Sequence, residues 1–134
     1  MLEPFTVEGF ENLLWRICAR ATSADPDGWT TENALWGQCA VAALLAQDLF
    51  GGELLRASLA GTEFSKMRSH YWNDLPERGP TDFTRSQFCG RYPADLVVEK
   101  RTRKYVLSNT DTNRRYRLLI ERLKEDMVRQ LGES

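Results

Sequence analysis

The chain has 134 residues, with 18 basic and 19 acidic side chains, three cysteines and one histidine. That length suits a single domain over residues 1–134, able to bury about two-thirds of its unfolded surface without staples. The near-balance of charge weighs against broad nucleic-acid or anionic-membrane binding, which needs a basic footprint.

Cys18, Cys39 and Cys89 cannot all pair within one chain, and no CxxC occurs. No run reaches the roughly 18 apolar residues of a membrane span. Glu3, Pro4, Glu8 and Glu11 leave no charged region leading into an apolar one, so no signal peptide is expected. The expectation is a cytoplasmic protein with free thiols and no membrane partner.

Thr6 is placed to cap a helix over about residues 7 to 20, with Phe10, Leu13, Leu14, Ile17 and Cys18 on one apolar face. Cys18 then reads as a small buried hydrophobe. Residues 21 to 35 are rich in turn formers and read as a loop anchored by Trp29 and Trp36. A second helix is expected from about Gln38 to Leu49, stopped by Gly51-Gly52. Nearly every position from 39 to 46 is apolar, so this helix is buried on most sides. Cys39 falls at its start, where unpaired N–H groups and a partial positive charge favour a thiolate and can receive an oxyanion. The plainer alternative is that Cys39 only packs in an alanine-rich core.

Leu54, Leu55, Ala57 and Leu59 suit a strand leaving the glycine pair. A second strand is expected over about 66 to 73 and carries His70, with Tyr71 and Trp72 beside it. Pro76, Gly79 and Pro80 mark a turn, and Asp82, Thr84 and Ser86 lie on or beside a short third strand. A hairpin of these two strands brings His70 near Asp82, since cross-strand Cβ atoms lie about 5 Å apart. Cys89-Gly90 reads as a strand end. Asp95–Val98 reads as a short strand or a turn of helix, and Tyr105–Leu107 as another brief element. The run from 99 to 104 is strongly basic apart from Glu99 and reads as a solvated face. Asn109-Thr110-Asp111 is a cap cluster opening a last helix over about 111 to 131, with an apolar stripe from Tyr116 to Leu131 read as core.

A thiol site needs a nucleophile, a base and a group that fixes the base's tautomer. Cys39, His70 and Asp82 supply these parts in that order. Asn73 is a rival orienter or a turn residue, and Gln38 is the amide beside the thiol. Cys39, His70, Asp82 and Cys89 include no pair at a usual short zinc-ligand spacing, so neither metal nor cofactor is expected. No G-x-S-x-G elbow and no phosphate-cradling glycine motif is present.

Four segments together resemble the YunG-like family of small bacterial proteins. They are Trp36-Gly37-Gln38-Cys39-Ala40-Val41-Ala42-Ala43-Leu44, Phe50-Gly51-Gly52-Glu53-Leu54, His70-Tyr71-Trp72-Asn73 and Asp82-Phe83-Thr84-Arg85-Ser86-Gln87-Phe88. That family in turn resembles the papain-like and transglutaminase-like cysteine fold. The resemblance implies an α+β fold, with a buried central helix starting at the cysteine, a small antiparallel sheet and a long C-terminal helix. It implies Cys39 as nucleophile, His70 as base and Asp82 as orienter, with Gln38 or Asn33 helping to bind the oxyanion and Trp36, Trp72 and Asn73 lining the site. The implied activity is thiol-dependent hydrolysis or acyl transfer on an amide or thioester, the substrate being a peptide or another acyl group. A non-catalytic binding module on the same fold is the alternative. In that reading a basic groove around Arg101, Arg103 and Lys104 would meet a nucleotide or acidic partner.

Overall fold

A computed structural model describes residues 5–132. Glu3 and Pro4, which entered the reading of the N-terminus, lie outside the described residues. The architecture is α+β. Helix α1 spans Val7–Ile17 and α2 spans Cys39–Phe50. Strands β1 (Glu53–Ser58), β2 (Ser69–Leu75), β3 (Gly79–Thr81) and β4 (Glu99–Arg101) follow, then α3 (Arg103–Leu107) and α4 (Thr110–Gly132). The strands form one antiparallel sheet in the order β3-β2-β1-β4.

The expected caps act as caps. Thr6 Oγ1 accepts the Gly9 N–H at 3.0 Å to start α1, and Asn109 Oδ1 accepts the Thr112 N–H at 2.9 Å at the start of α4. Helix α2 is buried from Cys39 through Ala46 and ends at Gly51, whose φ of 80° suits glycine.

One face of the sheet lies under α2. Leu54 and Leu75 join the α2 side chains in the main core, and Asn73 Nδ2 donates to Ala43 C=O at 2.9 Å. Phe10, Leu13 and Leu14 of α1 and Tyr116, Leu119 and Leu123 of α4 complete that core. The opposite face carries Leu55, Ala57, His70 and Trp72, because Leu55 pairs with Trp72 and Ala57 with His70.

Several expectations need correcting. Strand β2 begins at Ser69 rather than 66, because Ser65–Met67 closes into a 3-10 turn. Gly79 and Pro80 belong to β3, and the turn is made by residues 76–78 instead. β3 is an edge strand, where a proline is tolerated. Asp82 follows it, while Thr84 opens a 3-10 turn, Arg85–Phe88. Cys89-Gly90 ends that turn rather than a strand, with Cys89 in the left-handed region at φ 52°. Asp95–Val98 is irregular, and β4 falls on the charged Glu99–Arg101, which suits a solvated edge.

The basic run 99 to 104 is also more engaged than a solvated face implies. Arg103 donates to Leu44 C=O at 3.2 Å and pairs with Asp48 at 2.9 Å, which ties α3 to α2. On α4 the apolar stripe is core only as far as Leu123 and the half-buried Met127, while Val128 is 68% exposed. The buried face also takes charged residues. Asp126 pairs with Arg16 of α1 at 3.3 Å, and Arg115 donates to Thr22 C=O at 3.1 Å.

This division of α4 is testable by substitution. Leu119→Ala, at a fully buried position, is expected to cost about 2–5 kcal/mol in urea denaturation. Val128→Ala is expected to stay within about 0.5 kcal/mol.

Candidate functional site

The approach to Cys39 is held rigidly. Trp36 C=O accepts from Ser23 Oγ at 2.7 Å, and its Nε1 donates to Asp25 Oδ2 at 3.0 Å. Gly37 C=O accepts the Ala24 N–H at 2.8 Å, while its own N–H donates to Gln87 Oε1 at 3.0 Å. Gly37 has φ 73°, and a Cβ there would overlap Ser23 Oγ and stand 2.9 Å from Ala24 N. Only glycine fits so close an approach.

Helix α2 then begins. Its first internal bond runs from the Ala42 N–H to Gln38 C=O at 2.8 Å. The N–H groups of Cys39, Ala40 and Val41 therefore have no acceptor within the helix, and Cys39 and Ala40 line a cavity of about 690 Å3.

Strand β3 pairs with Asn73, Asp74 and Leu75 only, which leaves the first half of β2 open on that edge. The thiol of Cys39 lies against this opening and donates to Ser69 C=O at 3.6 Å. The next residue is His70, fully buried. Extending the β2–β3 register past Thr81 sets Asp82 opposite Trp72, a diagonal neighbour of His70 on the same face. His70 Nε2 and Asp82 Oδ2 are 2.6 Å apart.

Asp82 is itself fixed, since Oδ1 accepts the Thr84 N–H at 3.1 Å. His70 Nδ1 is buried and completes no hydrogen bond. With Nε2 occupied by Asp82, Nδ1 is the nitrogen left for Cys39. The thiol is close enough to favour the protonated ring, but its S–H points to the Ser69 carbonyl, so the contact is looser than a formed hydrogen bond.

Burial pulls the His70 pKa down, but the Asp82 hydrogen bond, the Cys39 interactions and the Asp82 charge outweigh it and bring it up to about 9. Aromatic rings close the pocket around the imidazole. Trp72 stacks on it at 5.3 Å, and Phe88 and Tyr92 meet it edge-on at 4.9 and 5.8 Å. Burial and the Asp82 charge also push the Tyr92 phenol up, so it stays protonated.

The remaining expected residues are engaged elsewhere. Gln38 Nε2 donates to Ala19 C=O at 2.9 Å and its Oε1 accepts from Thr22 Oγ1 at 2.7 Å, so both ends of the amide hold the loop. Asn33 Nδ2 donates to Gln87 C=O at 3.0 Å. Asn73 faces α2, on the opposite side of the sheet from His70. Trp36 packs on Phe64 at 6.0 Å, away from the imidazole. Trp72 alone of the expected lining residues touches the His70 ring. Cys18 is buried within the core, which pushes its thiol up to about 12, whereas Cys89 is exposed. Among the described residues no group of three or more His, Cys, Asp and Glu side chains is placed to hold a metal ion.

Sequence reasoning missed Gln87, Phe88 and Tyr92. Gln87 is buried and joins the two halves of the site. Its Oε1 accepts from Gly37, and its Nε2 donates to Thr84 C=O and Oγ1 at 3.1 and 2.9 Å. The Asp82-x-Thr84 spacing is a signal of an Asx turn that locates this loop. Nothing local in the sequence marks Gln87 as its strut.

The folded ring keeps its proton to about pH 9, against 6.5 for an ordinary imidazole. The stability His70 contributes is therefore complete below the unfolded value and lost as pH rises through the folded one. Urea denaturation across that range is expected to show the decline, and Asp82→Asn to flatten it. Gln87→Leu leaves the Gly37 N–H without its acceptor and is expected to cost about 1–3 kcal/mol in the same measurement.

A family model described as "YunG protein" matches residues 6–128, which is most of the chain. No curated protein and no solved structure matches. No helix among the described residues is long and apolar enough to cross a membrane. On the extent of the family match, the chain belongs to the YunG family.

Proposed function

We propose that the chain is a thiol-dependent hydrolase or acyl transferase acting on an amide or thioester, built in the papain-like manner around Cys39, His70 and Asp82. The observation that carries this reading is the buried imidazole of His70. Nε2 is held by Asp82 at 2.6 Å, and the other nitrogen is left for a thiol at a helix start. With a ring pKa of about 9, His70 is protonated at neutral pH. The attacking form is the Cys39 thiolate, which an adjacent imidazolium stabilises.

The thiolate adds to the carbonyl carbon, and the π pair moves onto oxygen. Backbone N–H groups at the start of α2 receive that oxyanion, because the Gln38 and Asn33 side chains are already bonded to the scaffold. The tetrahedral species collapses and the leaving amine or thiol takes the proton from His70. In hydrolysis, neutral His70 then removes a proton from water, which attacks the thioester and releases Cys39. In acyl transfer an acceptor amine or alcohol takes the place of that water. Asp82 holds the imidazole in orientation throughout.

One observation favours a non-catalytic binding module. Cys39 lines the cavity but His70 does not, and the thiol rests on the Ser69 carbonyl. In that reading the histidine pair is part of the core and the cavity only binds. Of the basic groove expected for this module, Arg101 and Arg103 pair with Glu99 and Asp48 at 2.6 and 2.9 Å, and Lys104 is the member without an ion pair among the described residues.

Thiol labelling separates the two readings. With iodoacetamide at neutral pH and peptide mapping, Cys39 is expected to react faster than exposed Cys89 and buried Cys18. Asp82→Asn is expected to slow Cys39 without changing Cys89. A Cys39 that reacts no faster than Cys89 would sink the enzymatic reading.

A further inference from the structure

The chain as a whole is slightly acidic, with a formal net charge of −1. The cavity beside Cys39 has the opposite balance. Its lining includes Arg56, Lys66, Arg68 and Arg115 against one carboxylate, Asp111. Three of these cations are already paired: Arg56 with Glu99 at 3.3 Å, Lys66 with Asp25 at 3.4 Å and Arg115 with Asp111 at 2.8 Å. Arg68 makes neither an ion pair nor a side-chain hydrogen bond among the described residues.

Arg68 directly precedes Ser69, whose carbonyl meets the Cys39 thiol. Its backbone has φ 67° and ψ −53°, a tight-turn conformation that residues with a side chain avoid. Glycine would relieve the strain, yet a long cationic side chain occupies the position. Arg56 brings a second guanidinium to the same place. Its Nη2 donates to Ser69 Oγ at 2.7 Å, and its Nε is buried without a partner. The Glu99 side chain that pairs with it is 45% exposed, so an incoming anion can displace it.

We infer that the acyl substrate of Cys39 carries an anionic group, a carboxylate or a phosphate, which Arg68 and Arg56 hold while its carbonyl lies at the thiol. This rests on Cys39 being the nucleophile. A guanidinium fork matches either anion bidentately. A cavity of about 690 Å3 is of the size that takes a small acyl donor or a few residues of peptide.

Two alkylating agents of opposite character test this on the full chain. Iodoacetamide is neutral and iodoacetate is an anion, and each forms an S–C bond with loss of iodide. Peptide mapping gives both rates at Cys39 and at Cys89 in the same molecule. The iodoacetate-to-iodoacetamide rate ratio at Cys39 is expected to be several-fold above that at Cys89. It is expected to fall in Arg68→Gln and in Arg56→Gln, and with added salt. The two variants separate the arginines from His70, whose imidazolium also attracts an anion and is untouched in both.

Glutarate and inorganic phosphate, added as competitors of iodoacetamide, distinguish the two anions. Protection of Cys39 by glutarate, lost in Arg68→Gln, assigns a carboxylate, and the same behaviour with phosphate assigns a phosphoryl group. A ratio at Cys39 no higher than at Cys89, or one unchanged in both variants, overturns the anionic substrate. Fast reaction with iodoacetamide in that case leaves the nucleophile standing. Slow reaction with both reagents removes the nucleophile, and this inference with it.

Discussion

The contact on which the site depends is the one between His70 and Asp82. An imidazole with no solvent exposure is bonded to a carboxylate 2.6 Å away and is raised to a pKa of about 9. Burying such a pair is expensive, because two charges leave water for a medium that solvates them poorly. An apolar pair of similar volume would fill the space beside Phe88 and Trp72 at least as well. Strongly shifted groups held against their desolvation cost cluster at functional sites. Here the shifted group also lies next to a cysteine at a helix start, and that coincidence is what gives the pair its meaning.

The rest of the structure keeps the two sides of that contact in register. β3 stops after three residues, which frees the edge of β2 for Cys39 and delivers Asp82 to the diagonal position. Thr84 fixes Asp82, Gln87 grips Thr84, and Gly37 donates to Gln87. Gly37 is two residues before Cys39, so one continuous set of hydrogen bonds runs from the Asp82 carboxylate to the thiol's own loop. Arg115 of α4 adds support from outside by binding Thr22 C=O, and Thr22 in turn donates to Gln38. The long C-terminal helix thus supports the loop that leads into Cys39.

The sequence was most informative where one local rule decided the outcome. The apolar run behind Cys39, the Gly51-Gly52 stop and the caps at Thr6 and Asn109 all lie where local patterning put them. Strand β2 starts three residues later than the pattern predicts because Arg68 adopts a backbone conformation that its type does not announce. β4 was missed because its three residues are all charged, and only pairing with β1 makes them a strand. The same limit applies to the site. His70 and Asp82 stood out as a lone histidine and an acid beyond a turn. Gln87 and Tyr92 owe their roles to contacts with residues 50 and 22 positions away, as the Gly37 bond and the His70 ring contact show. Gln38 drew notice by adjacency to the thiol, yet its amide faces Ala19 and Thr22. Adjacency in sequence does not say which way a side chain turns at the start of a helix.

His70 is a buried imidazolium bonded to Asp82, and the Cys39 thiol raises its pKa without completing a hydrogen bond to it. Because the chain has one histidine, its ring can be followed by NMR on histidine-labelled protein without assignment. The ring is expected to be doubly protonated at neutral pH and to titrate near pH 9, with the midpoint moving down in both Cys39→Ser and Asp82→Asn. A ring that titrates near the ordinary 6.5, or one whose midpoint ignores the loss of Cys39, would contradict it.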